Sequence, residues 1–246
     1  MADEDVLAEQ RDFYRARAAT YDEWWQRRGR YDRGVDDQDE WDRQVSTVEA
    51  ALSSFRARGD VLELAGGTGW WTQRLAITAE RLTVVDASAE TLAINRQRVG
   101  RGDVAYVVAD LFTWLPERTY DVVFFSFWLS HVPRSRFSAF WSLVESRVAP
   151  GGSVFLIDNH RDPLAPSDGG DPYVVDYAPD LHVRRLDDGS TYRVVKVMYE
   201  PAELAGRLQT EGWTAHIDAT RWFIFGSSRP SRSMPHSKYK GSDGRT

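Results

Sequence analysis

The stretch Val61-Leu62-Glu63-Leu64-Ala65-Gly66-Gly67-Thr68-Gly69 constrains this chain more than any other. Val61 to Leu64 is a short apolar run opened by Gly59-Asp60, the form of a buried parallel strand. Three glycines within four residues follow, and then a helical pattern from Trp70. That order, strand then glycine turn then helix, brings bare backbone N–H groups and a helix N-terminus close to a ligand. Glu63 at the strand tip suits a cation and disfavours a phosphate. A dinucleotide site holds a pyrophosphate on G-x-G-x-x-G, and the glycines here do not fit that spacing.

The pattern then repeats. Arg81–Asp86, Tyr106–Asp110, Tyr120–Ser126 and Ser153–Asp158 read as further buried strands, with helices between them. Strands alternating with helices predict a parallel sheet covered on both faces, with every strand's C-terminal end on one edge, where ligands bind. Ahead of this unit, residues 4–18 and 41–57 read as helices. The Gly-, Arg- and aromatic-rich stretch 24–40 between them reads as a loop or lid. Behind it, residues 160–180 read as a loop. Residues 181–199 read as a β-hairpin around Asp188-Gly189, 201–211 as a helix started by Pro201, and 213–226 as two more strands. Residues 227–246, rich in Ser, Gly, Arg and Lys, read as a flexible tail.

The glycine segment resembles the first motif of the class I S-adenosylmethionine (SAM)-dependent methyltransferases, E/D-x-G-x-G-x-G. Glu63 stands at the acid, and Ala65 stands at the first glycine, which predicts a negative φ there. The terminal pair of strands after five alternating units resembles the same family. The resemblance implies an α/β fold: a doubly wound, mostly parallel seven-stranded sheet with helices on both faces, an N-terminal helical lid and an inserted β-hairpin. It divides the chain into a cap at 1–57, a SAM-binding domain at 58–226 with an insertion at 160–200, and the tail. It implies SAM as cofactor, held around Glu63, Ala65 and Gly67. Asp86 and Ala87 would lie at the ribose, Asp110, Leu111 and Phe112 at the adenine, and Ser126 at the methionine part. The Tyr-rich segment ending in Tyr21-Asp22 resembles one that lies over the cofactor in this family, with Tyr21 or Tyr14 near its carboxylate. The arginine- and aromatic-rich character also resembles actinobacterial sugar O-methyltransferases.

Read as residues, the same acids leave alternatives open. Asp86, 23 positions after Glu63, can accept both ribose hydroxyls, as acids also do in NAD enzymes. Singly, each acid is as good a helix N-cap as a ligand contact. His131, after the fourth strand, is the first candidate for removing a hydroxyl proton, and His160, after the fifth, is the second. Asp158-Asn159 could belong to a Mg²⁺ site, but no second acidic cluster pairs with it, and no metal is expected.

Trp24, Trp25, Tyr31, Arg33 and Trp128 are candidates for holding the acceptor, by stacking or hydrogen bonding. The expected activity is methyl transfer to a hydroxyl oxygen of a small molecule, with a sugar first. A carboxylate or phenol clamped by Arg27, Arg28, Arg30 and Arg33 is the rival, and a SAM-binding protein without turnover is a third reading. A net charge of −6 with no basic block argues against nucleic acid. The absence of cysteine excludes thiolate chemistry. No apolar run reaches a membrane span, the N-terminus lacks a signal-peptide pattern, and a cytoplasmic location is expected. The expected partner is a small-molecule acceptor, with a homodimer allowed.

Overall fold

A computed structural model describes residues 3–161 and 173–231. In chain order the elements are α1 (Asp3–Ala16), α2 (Asp22–Trp25), α3 (Val35–Phe55), β1 (Asp60–Leu64), α4 (Trp70–Thr78), β2 (Arg81–Asp86), α5 (Ala89–Val99), β3 (Ala105–Val108) and β4 (Tyr120–Ser126). There follow α6 (Phe137–Glu145), β5 (Val148–Asn159), β6 (Val174–Ala178), β7 (Asp180–Arg185), β8 (Thr191–Lys196), α7 (Pro201–Thr210), β9 (Trp213–Ala219) and β10 (Phe223–Pro230). Residues 162–172 of the expected loop and 232–246 of the expected tail lie outside the described residues.

The main sheet has seven strands in the order β3-β2-β1-β4-β5-β10-β9. β1 pairs in parallel with both β2 and β4, so the crossovers leave β1 in opposite directions, and β10 runs antiparallel to β5 and β9. Ligands bind at such a reversal point, beyond the carboxyl ends of the strands. Successive side chains alternate between the faces. Leu62, Leu64, Val123 and Phe125 enter one core with α6 and α7, while Val61, Val122 and Phe124 enter the other with α3 and α4. This is the expected doubly wound fold.

Several boundaries differ from the sequence reading, β5 starting at Val148 and β3 spanning Ala105–Val108 among them. The stretch 24–40 is structured: α2 is one helical turn, Gly29–Tyr31 is a 3₁₀ turn, and α3 starts at Val35. Elements this short carry no readable period, and α3 becomes legible only where Trp41, Val45, Val48 and Leu52 repeat at helical spacing. The inserted hairpin gains a third strand, so β6, β7 and β8 form a separate antiparallel sheet. β10 extends to Pro230, taking four residues from the expected tail.

α1 packs on β8 of this small sheet. The Glu9 carboxylate accepts the Arg193 backbone N–H at 2.9 Å and pairs with its guanidinium. The Gln10 amide bridges two segments: its oxygen accepts the Val195 N–H at 3.1 Å, and its nitrogen donates to the His131 carbonyl at 3.2 Å.

Candidate active site

A pocket lies beyond the C-terminal ends of β1, β2 and β4, and α1 roofs it. Ala65, Gly67, Asp86 and Ala87 line it at the tips of β1 and β2. Asp110, Leu111 and Phe112 line it after β3, and Ser126 after β4. Tyr14 and Tyr21 line the opposite side, with Leu7, Gln10, Arg11 and Ala18, and Trp128 and His131 complete the wall. The structure thus brings together ten of the eleven expected cofactor residues.

The eleventh, Glu63, is 1% exposed and is not part of the wall. Neither carboxyl oxygen makes a hydrogen bond of ordinary geometry. Burial raises its pKa to about 8; Thr72 offsets part of that shift, and the charge of Asp86 adds to it. A neutral acid poised beside the glycine turn can ionise when a cation arrives. Asp86 is fixed by the loop it faces: one oxygen accepts the Gly67 N–H at 3.0 Å, the other the Ser88 N–H at 2.9 Å. Burial raises its pKa too, and these backbone bonds oppose the rise.

Ala65 departs from the expectation, with φ of +54°. The turn demands the left-handed region where the family has glycine, and alanine adopts it at a cost of roughly 1–2 kcal/mol. Gly69 cannot vary in this way. Its φ is +92°, and a Cβ there would lie 2.8 Å from Asn95, whose amide donates to the Gly66 carbonyl and braces the loop.

His131 is 4% exposed, and both ring nitrogens are engaged. Nδ1 lies 2.7 Å from the Val195 carbonyl, which can only accept, so Nδ1 carries the proton. Nε2 therefore accepts from the Tyr14 hydroxyl at 2.7 Å. Burial pushes its pKa well below the ordinary range; Lys196, Arg184 and His182 push the same way, and the Val195 bond opposes them. The imidazole is neutral and weakly basic.

His160 is elsewhere. Its Nδ1 meets the Thr220 carbonyl at 2.8 Å and its Nε2 the Glu200 carboxylate at 3.1 Å, and it does not line the pocket. The catalytic role considered for it is corrected: β5 runs to Asn159, and pairing with the β9–β10 turn carries the ring away.

The expected acceptor residues divide. Trp128 lines the pocket and packs on Phe112 at 5.8 Å between centroids. Trp25 is 5% exposed, in a cluster with Trp41, Trp70, Trp71 and Phe127, and Trp24 packs edge-on against Phe127 and Trp41. Trp25 is buried in this anchor between cap and sheet, Trp24 is half-buried beside it, and neither lines the pocket. Tyr31 is buried and bonds Arg17, and Arg33 is exposed. The arginine clamp is corrected as well. Arg27 pairs with Asp37 at 3.0 Å, Arg30 pairs with Asp187, and Arg28 is exposed; none of the four lines the pocket.

Other cations lie near His131. Lys196, 7% exposed at the end of β8, donates to the Ser130 hydroxyl at 2.9 Å and to the Asn159 side-chain oxygen. The Asp158 carboxylate accepts the backbone N–H groups of Ser130 and Asn159 at 2.8 and 2.7 Å. The oxygens considered for Mg²⁺ are thus held by backbone amides and an ammonium. Arg17, Arg184 and His182 are buried in the same region. The sequence showed none of these together, because α1 and the inserted sheet meet only in the fold. Leu7, Arg11, Tyr14 and Ala18, spaced three or four apart, were the readable sign of a functional face on α1.

Residues 61–152 match a family described as a methyltransferase domain. DhpI, solved in complex with S-adenosylhomocysteine (SAH), is 37% identical over 93% of this chain and 98% of its own, with a TM-score of 0.75. In its complex with SAM and HEP the identity is again 37%, over 94% and 100%, with a TM-score of 0.77. The chain belongs to the SAM-dependent methyltransferases. Another methyltransferase of the same fold is the N-methyltransferase NodS of Bradyrhizobium japonicum bound to SAH. It is 17% identical over 91% of this chain and 100% of its own, with a TM-score of 0.60. Nodulation protein S of Azorhizobium caulinodans is 34% identical over 68 residues, a match spanning 28% of this chain and a third (33%) of that protein.

The methyltransferase's own residues fit its cofactor. The unbonded Glu63 carboxyl suits a positively charged ligand, Asp86 offers acceptors at the β2 tip, and Gly67 leaves its open side to the pocket. Among the described residues no helix is long and apolar enough to cross a membrane.

Proposed function

We propose that this methyltransferase alkylates an oxygen of a small molecule, and that the oxygen is already an anion when it attacks: a carboxylate or an ionised phenol. The observation that carries this is the state of His131. Its Nε2 is occupied by Tyr14, its Nδ1 by Val195, and its basicity is suppressed by burial and by Lys196 and Arg184. A site that suppresses the histidine in its wall is ill equipped to deprotonate an alcohol. The cations that suppress it attract an acidic acceptor instead. SAM, when bound, supplies an electrophilic methyl group on sulfur. The protein's part is to hold the oxygen in line with that methyl, a proximity effect that needs no proton transfer. Tyr14, Tyr21 and Trp128 exclude water from the space between the two.

The Tyr14–His131–Val195 chain supports a second reading, the hydroxyl acceptor. There the acceptor proton would pass to the Tyr14 oxygen as Tyr14 gives its own proton to His131 Nε2. The sugar form of that reading loses support, since Trp25 is buried, Trp24 is half-buried against Phe127 and Trp41, and neither lines the pocket.

The test is labelled SAM with matched panels of carboxylic acids, phenols and sugars. Methyl ester or aryl ether formation, at a rate flat in pH above the acceptor's own pKa, is the expected result. Turnover confined to neutral hydroxyl acceptors overturns the proposal.

A further inference from the structure

Arg17 is 4% exposed and sits where the cap meets the inserted sheet. Its guanidinium carbon lies 5.5, 5.4, 5.9 and 5.0 Å from the ring centroids of Phe13, Tyr21, Tyr31 and Tyr173. One terminal nitrogen donates to the Tyr31 hydroxyl at 3.3 Å. Nε is buried with no acceptor in reach. The groups that act on its charge are Tyr31, Arg184, Tyr14 and Tyr21, none of them a carboxylate.

Arg27 and Arg147 also leave Nε without an acceptor, but their other nitrogens meet a carboxylate or backbone carbonyls. Arg27, lying over Trp41 and Trp222, has Asp37, and Arg147 donates to the carbonyls of Leu143 and Trp114. Ring faces stabilise a cation, but they do not satisfy a donor in the guanidinium plane. Burial and the like charge of Arg184 oppose the Arg17 charge, while Tyr31, Tyr14 and Tyr21 favour it and raise its pKa on balance. Tyr21 connects this cage to the pocket: it lines the wall and packs on Arg17, while Tyr14, beside it, reaches His131.

We propose that Arg17 is an anion subsite for the acceptor, taking an acidic group other than the oxygen that receives the methyl; this rests on the acidic-acceptor reading above. The planar fork of a guanidinium suits a carboxylate or phosphate-type group, and aromatic walls strengthen the interaction by excluding water. The enzyme then selects acceptors with two separated acidic functions, one anchored at Arg17 and one presented to the methyl.

Inorganic phosphate titrated calorimetrically into the full-length protein saturated with SAH, at constant ionic strength, tests this. The wild type should bind phosphate. Arg17→Gln should weaken that binding about tenfold or more, as loss of a charged hydrogen bond does. Arg17→Lys, which keeps the charge and loses the fork, should fall between them, and SAH affinity should hold in both. Lys196→Gln probes the acceptor-oxygen region separately. Phosphate affinity lost only in Lys196→Gln overturns the Arg17 subsite and leaves the acidic-acceptor reading standing. Affinity lost in Arg17→Gln and kept in Lys196→Gln supports the subsite. No phosphate uptake by the wild type overturns the subsite. If Arg17→Gln no longer binds SAH and is misfolded, Arg17→Lys decides, and unchanged phosphate affinity there overturns the proposal.

Discussion

The Thr68 hydroxyl donates to the Asp22 carboxylate at 2.5 Å, joining the cofactor loop to the N-terminal cap across 46 positions of sequence. Arg98 of α5 completes the junction, pairing with the other Asp22 oxygen and donating to Thr68 at 3.2 Å. Asp22 directly follows Tyr21, so the junction also fixes a pocket-lining side chain.

Asp22→Ala should therefore loosen the cap. We expect a loss of about 1–3 kcal/mol in cap docking, the cost of leaving charged hydrogen-bonding partners unmet. Trypsin should cut faster at Arg27, Arg28 and Arg30, and SAH should restore part of the protection. Unchanged cleavage would show that the tryptophan cluster alone holds the cap.

Glu63 gives a pH dependence of defined sign. Its folded pKa of about 8 lies above the carboxylate value of about 4.3 in the unfolded chain. The unfolded chain therefore releases this proton first, and stability falls as pH rises between those two values. Glu63→Gln, which mimics the protonated acid, should match the wild type near pH 5 and exceed it in stability near pH 9. Urea midpoints across that range measure the difference. The same variant should bind SAM less tightly, because it can no longer ionise toward a cation.

At the β2 tip, Asp86→Ala removes the acceptors expected to meet the ribose hydroxyls. The loss should be about 1.5–3 kcal/mol in SAH affinity, the range for hydrogen bonds to a charged group. It also removes the brace on Gly67, so Asp86→Asn, which keeps an acceptor, should lose less. Calorimetry with SAH distinguishes the two.

Tyr14→Phe separates the two acceptor readings. If the acceptor is already an anion, kcat should fall by less than about tenfold, reflecting misplacement alone. A proton relay through Tyr14 and His131 would lose the contribution of a positioned base, about 10²–10⁴-fold. Steady-state kinetics on an acidic and on a hydroxyl acceptor read the difference.

Most of the strand-tip wall of the pocket was legible in the sequence, because each acid ends a buried run and every parallel strand ends on the same edge. Asp86 and Asp110 need no tertiary information beyond the βα repeat. The cluster of buried cations was not legible for the opposite reason. Arg17, Arg184 and Lys196 come from α1's end and from two strands of the inserted sheet, and only docking brings them together. Trp24 and Trp25 looked like stacking platforms because α2 is one turn long and offers no periodicity to mark a buried face. His160 was misplaced because strand ends read from sequence do not reveal how the β9–β10 turn captures the side chain that follows.

The pairing of α1 with β8 also sets an order of events. Glu9 and Gln10 meet Arg193 and Val195 across 184 and 185 positions, so α1, made long before β8, is among the last elements to find its place. Closing so long a loop is slow compared with forming the βα units. A nascent or partly refolded chain thus holds its strand-tip acids in register before it has a roof over them. In the finished protein α1 is the segment whose release opens the site, and its amides should exchange hydrogen sooner than those of β1 and β4.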